Sequence, residues 1–151
     1  MNFIKNILLR KRTLGGWILI ITSCVLLISS ILYVAIPGGE LKISDYSTTL
    51  AFIMILIGSL VGLSTLFIKN KYYEEIAPIV TLIFVSIGMA RQMYLAVYPI
   101  TDVITNVNWF GGNLAVYLTF FIIFLLGTIA LIACCFMKIH KDEEKQIEEI
   151  K

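Results

Sequence analysis

Ile76–Tyr98, IAPIVTLIFVSIGMARQMYLAVY, is a stretch of 23 residues with one charged side chain, Arg91. At ~1.5 Å per residue such a helix reaches about 34 Å, enough to cross a hydrocarbon core of ~30 Å. Three more stretches read the same way: residues 14–36, 47–68 and 114–137. The four together hold 92 residues and one charge, while the other 59 residues carry the remaining 21. A soluble core would need polar residues alternating with apolar ones along each element, and a disordered chain would need far lower hydrophobicity than the 59% found. A membrane barrel is excluded as well, because Ile18–Ile21 and Leu118–Leu126 do not alternate every second residue. The pattern predicts an all-α membrane protein, a bundle of four transmembrane helices. The first span, at 23 residues, exceeds the ~7–15-residue apolar region of a secretory signal and reads as retained.

The connections orient the bundle. Lys5, Arg10, Lys11, Arg12, Lys69, Lys71, Lys138, Lys141, Lys145 and Lys151 fall on one side, and Lys42 alone on the other, with Glu40, Asp45 and Asp102. Basic residues are retained on the cytoplasmic face, so both termini are expected inside. The chain then divides into a basic cytoplasmic segment 1–13, a transmembrane domain 14–137 and a charged cytoplasmic tail 138–151. The basic segment reads either as a plain positive anchor or, through Phe3, Ile4, Ile7 and Leu8, as a short helix in the headgroup layer. The tail, with Lys145 and Glu149 at i,i+4 spacing, reads as a solvated continuation of the last helix. The formal charge of +2 averages over two unlike faces and implies no nucleic-acid partner.

Little in the chain carries reaction chemistry. Cys24, Cys134 and Cys135 lie within spans, where small apolar filling is their expected role. His140, the single histidine, stands on the tail among lysines without evident partners. Hydrolase, phosphate-loop and dinucleotide motifs are absent from the sequence, so neither enzymatic activity nor a metal or other cofactor is expected.

The outer end is different. An intramembrane arginine is costly unless it snorkels or pairs. Arg91, Tyr94 and Tyr98 share one helical stripe, with Gln92 adjacent, and Asp102 just beyond Pro99 is the expected partner reaching back to Arg91. The connection that follows is expected to form a short interfacial helix over 101–110, capped by Thr101 or Asp102. Asn106, Asn108, Trp109 and Asn113 would make it a docking loop, with Asn113 capping the fourth helix. This cluster reads either as a snorkelling arginine under an interfacial cover or as a polar site beneath a lid.

Small residues supply helix contacts where lipid gives no hydrophobic drive. Gly58 and Gly62 mark the second helix, Gly88 the third and Gly127 the fourth. Residues 55–69 also align without gaps on 124–138, matching Gly58 to Gly127, and at an offset of 61 Tyr33–Ile36 lies over Tyr94–Val97. These matches raise a tandem two-plus-two hairpin repeat, although shared boundary residues would produce most of them.

The expected function is non-enzymatic: an accessory or regulatory subunit of a larger membrane assembly such as a transporter, whose partners are lipid and either other membrane helices or further copies. The alternative is a small homo-oligomeric transporter or channel for a small solute, an anionic one if Arg91 binds it. Counts of 26 Ile to 20 Leu and 9 Lys to 3 Arg fit an AT-rich bacterial genome, hence a bacterial plasma membrane.

Overall fold

The computed structural model describes residues 13–35, 49–68, 70–110 and 113–139. The basic segment up to Arg12, read as an anchor or a headgroup helix, the connection holding Glu40, Lys42 and Asp45, Gly111 and Gly112, and His140 with the rest of the tail lie outside the described residues. Within them every regular element is a helix: α1 Leu14–Ala35, α2 Thr49–Ser64, α3 Lys71–Thr105 and α4 Leu114–Cys135. Three of these, α1, α3 and α4, are long and apolar enough to cross a membrane, whereas α2 has 16 residues.

The buried positions explain the assembly. On α1 they include Leu19, Ser23, Leu26, Ser30 and Tyr33, on α3 Thr81, Val85, Gly88, Gln92 and Leu95, and on α4 Phe120, Phe124, Leu131 and Cys134. Steps of three and four residues alternate along each seam, the 3.5-residue period of helices that pack nearly parallel to a common axis. α1 packs on α2, α2 on α3, α3 on α4, and α4 closes the ring on α1. Neighbours run antiparallel: Gly88 faces Ala51 and Ile55, while Gly58 faces Thr81, Phe84 and Val85. The outward faces carry large apolar side chains such as Ile28, Ile83 and Leu126, each more than half exposed. Small and polar residues inside with aliphatic ones outside is the arrangement lipid favours.

Two boundaries differ from the sequence expectation. The second span, expected over 47–68, is helical only to Ser64. There Ser64 Oγ donates to the Val61 carbonyl at 2.7 Å and also bonds the Tyr73 hydroxyl, while Thr65 Oγ1 donates to the Gly62 carbonyl. Hydroxyls turned back onto the preceding turn compete with the helix ladder, and the chain tightens into short-range turns over 65–68. The third helix does the opposite. It was expected to end at Tyr98, with a separate interfacial helix over 101–110; instead α3 runs through Pro99 to Thr105. Proline costs one backbone hydrogen bond, that to the Leu95 carbonyl, and the ladder resumes beyond it, with Thr101 Oγ1 donating to the Val97 carbonyl and Thr105 Oγ1 to that of Thr101, each at 2.8 Å.

The seams also shift the internal register. α2 and α4 superimpose their buried positions at the offset of 69 read from the letters, pairing Ala51 with Phe120, Ile55 with Phe124 and Gly62 with Leu131. α1 and α3 do so at 62, not 61, pairing Ser23 with Val85 and Ser30 with Gln92. The letters at 61 match interfacial Tyr and Pro residues, but one residue is ~100° of helix rotation, so that alignment sets buried positions over lipid-facing ones. Burial pairs Arg91 with Ser29, while Ser30 pairs with Gln92.

Candidate functional site

At the end of the bundle where α1 begins and α4 finishes, the chain is tied together. Thr13 Oγ1 donates to the Ile139 carbonyl at 2.7 Å and accepts from the Gly16 amide, capping α1, and Cys134 Sγ donates to the Gly15 carbonyl. A cavity of about 380 Å³ opens here between α3 and α4, lined by Lys71, Glu75, Pro78, Phe136 and Lys138 among others. Cys24 is exposed on the outward face, Cys134 is buried, and all three cysteines are free. No group of three or more metal-ligating side chains forms among the described residues.

At the opposite end the stripe read from the sequence is an aromatic ladder. The Arg91 guanidinium carbon lies 5.3 Å from the Tyr94 ring centre, a cation–π contact. The Tyr94 and Tyr98 rings meet edge to face at 6.1 Å, and the Tyr98 hydroxyl donates to that of Tyr94. Tyr98 then packs on Phe110 at 5.0 Å between centroids. The top of the ladder is fixed by Asp102, whose carboxylate accepts the Trp109 amide at 3.1 Å and the Phe110 amide at 3.0 Å.

The expected Arg91–Asp102 pair is corrected by this geometry. Eleven residues of unbroken helix set their backbones ~16 Å apart, beyond any ion pair. Neither does Asp102 cap the start of a helix; it clamps the chain that leaves one. Asn106 ends α3 in the left-handed conformation, with φ 54° and its amide donating to the Asp102 carbonyl. Asparagine tolerates that conformation better than other residues with a Cβ. Asn113 caps α4, its Oδ1 accepting the Ala115 amide at 2.9 Å. Asn108 and Trp109 are exposed, and cavities of about 280 and 350 Å³ flank the loop, one under Trp109 and Phe110 and one between Pro99, Asn108 and Leu114.

Gln92 leaves this cluster altogether. It points into the bundle, fully buried, with neither amide atom hydrogen-bonded. Near it stand the buried hydroxyls of Tyr33 and Tyr117. Tyr33 contacts the rings of Tyr117, Phe120 and Phe124 edge to face. A second polar level lies deeper, where Ser23 Oγ and Thr81 Oγ1 converge on the gap left by Gly62. Sequence reasoning placed Gln92 in the outer polar site beside Arg91 and named neither Ser23 nor Thr81. Their signal was present: Ser23 to Ser30 and Val85 to Gln92 are seven-residue steps, the repeat of a packed seam.

The four glycines all face neighbouring helices. A Cβ on Gly58 would approach the Thr81 carbonyl at 3.1 Å, one on Gly62 the Ser23 hydroxyl, one on Gly88 the Ala51 carbonyl at 2.9 Å, and one on Gly127 the Leu26 side chain at 2.7 Å. Among known proteins, no family model, no curated protein and no solved structure matches this chain.

Proposed function

We propose that the protein is a non-enzymatic multi-pass membrane protein, with both termini cytoplasmic in a bacterial plasma membrane, that acts as an accessory or regulatory subunit of a larger membrane assembly such as a transporter. The observation that carries this reading is the outer end of α3. The helix has 35 residues, about 52 Å against a ~30 Å core. Counted from Ile76, its last turns stand beyond the hydrocarbon and present Val103, Ile104 and Trp109, of which Ile104 is 78% and Trp109 72% exposed. Apolar side chains raised above the membrane on a clamped, rigid loop suit contact with another protein. Purification in mild detergent followed by mass spectrometry tests the proposal. A stoichiometric partner that an Ile104→Asp, Trp109→Ser double variant no longer retains supports it; recovery of this chain alone, in any oligomeric state, sinks it.

A second reading, a homo-oligomeric transporter or channel for a small solute, is favoured by the buried polar levels at Gln92–Tyr33 and Ser23–Thr81. They place hydrogen-bonding groups inside a bundle otherwise sealed by Leu19, Leu26, Ile55, Val85 and Phe124, all with no exposed surface. A tandem duplication of the hairpin is also proposed: Gly58 packs on α3 and Gly127 on α1, contacts that an axis along the membrane normal would exchange.

A further inference from the structure

Arg91 is the one charge within the four spans. Among the described residues it lies over the Tyr94 ring and no carboxylate pairs with it, and its Nε is buried without a hydrogen bond. Counted from Ile76, its backbone sits ~22 Å across a ~30 Å core and Tyr98 sits at the outer edge. A guanidinium extended along the tyrosine ladder therefore approaches the outer edge of the core, just below the lipid phosphates. The ladder supplies a second donor there. Tyr98 donates its proton to the Tyr94 hydroxyl, so Tyr94 has its own proton to give. The stripe faces outward, with Tyr94 and its neighbours Met93 and Val97 each about half exposed. Directly below, Ile83 and Ile87 continue the same ridge at four-residue steps, also about half exposed.

We propose that the Arg91–Tyr94 end of this stripe binds the phosphate of an outer-leaflet anionic phospholipid, one of whose acyl chains lies along Ile87 and Ile83. The guanidinium fork provides parallel donors to two phosphate oxygens, the Tyr94 hydroxyl provides a third, and the Tyr94 ring holds the guanidinium plane from behind. A lipid fits better than a free ion because the approach from the side is apolar, and a free phosphate would have to shed its water to enter it. The clamp made by Asp102 on Trp109 and Phe110 gives Tyr98 a fixed wall to rest on, so the ladder is set before the lipid arrives. The proposal rests on α3 spanning the membrane and is independent of whether the protein is a subunit or a transporter.

The full chain, reconstituted in phosphatidylcholine vesicles containing phosphatidylglycerol and extracted in mild detergent, can be weighed intact with the lipids it retains. The wild-type chain is expected to keep one more phosphatidylglycerol per chain than Arg91→Gln, with retention at that site falling about five- to tenfold in the variant. Tyr94→Phe should fall between the two. Lys71→Gln, at the opposite end, should leave that difference unchanged, which separates the site from general attraction to the basic inner face. Equal retention by wild type and Arg91→Gln overturns the proposal, as does inorganic phosphate protecting the wild-type chain against thermal unfolding as well as phosphatidylglycerol does. Should Arg91→Gln fail to fold, Arg91→Lys keeps the charge and loses the fork: weakened retention supports the site, and undiminished retention overturns it. Release of the wild-type chain from membranes by an alkaline wash would instead overturn the spanning reading beneath the proposal.

Discussion

The two hairpins, α1–α2 and α3–α4, build one seam from opposite volumes. Where the first places Leu26, Ala51 and Gly62, the second places Gly88, Phe120 and Leu131 at the corresponding buried positions. The exchange is reciprocal in space: Gly127 accepts Leu26, and Gly88 accepts Ile55. Without a hydrophobic drive between helices, such interlocking supplies most of the association energy through close contact. The second hairpin therefore carries the larger side chains of the core and should be the more sensitive to truncation. Phe124→Ala is expected to destabilise by about 3–5 kcal/mol, and Ile55→Ala at the matching position by less, about 2–3 kcal/mol. Thermal unfolding in one detergent measures both, and equal losses would break the comparison.

The glycines sharpen it. A Cβ at Gly88 would stand 2.9 Å from the Ala51 carbonyl and 2.5 Å from Ile55 Cγ1. Backbone cannot step aside, so Gly88→Ala should cost about 1–3 kcal/mol. At Gly127 the obstruction is the branched end of Leu26, nearest atom 2.7 Å away, which can turn. Gly127→Ala should accordingly lower the melting temperature by well under half as much. A larger drop at Gly127 would show that Leu26 is locked and that the two glycines are equivalent after all.

Sequence reading found the helices, because an unbroken apolar run of more than 20 residues has few alternatives, and it found the arginine–tyrosine stripe, because helical periodicity fixes which residues share a face. It lost the ends and the interior. The break expected between Tyr98 and Thr101 does not occur, because the helix tolerates Pro99 at the loss of one backbone hydrogen bond and runs on to Thr105. Once the helix was rigid, Asp102 moved from beside Arg91 to the top of the ladder. The interior was hidden because in lipid the outward face is also apolar, so hydrophobicity no longer marks which side is buried. What marks it is the seven-residue recurrence of small and polar residues, and Gln92 is the clearest case.

Gln92 also separates the hairpins chemically. Its counterpart Ser30 donates to the Leu27 carbonyl at 2.8 Å and is satisfied within its own helix, whereas the Gln92 amide is fully buried without a hydrogen bond. Replacing an unbonded buried amide by a similar apolar shape removes its desolvation cost. Gln92→Leu is therefore expected to stabilise the bundle by about 1–2 kcal/mol, and Ser30→Ala to change little. A loss of stability in Gln92→Leu would mean the amide is satisfied in the folded protein.

The smallest expected effect lies where α3 outruns anything described in the first hairpin. Asp102 holds the Trp109 and Phe110 amides on a partly exposed surface, so Asp102→Ala should cost only about 1 kcal/mol, confined to the loop. Hydrogen exchange reads it directly: the amides of Trp109 and Phe110 should exchange about five times faster, while those of Val85 and Phe124 in the seam should not change. If the loop's loss of order spread to the seam, the outer end would be part of the bundle's cooperative unit and not a platform raised on it. Partner retention in the same variant links the clamp to function. A loop that presents Trp109 and Ile104 only when clamped should hold its partner less well even though the four helices beneath it are unchanged.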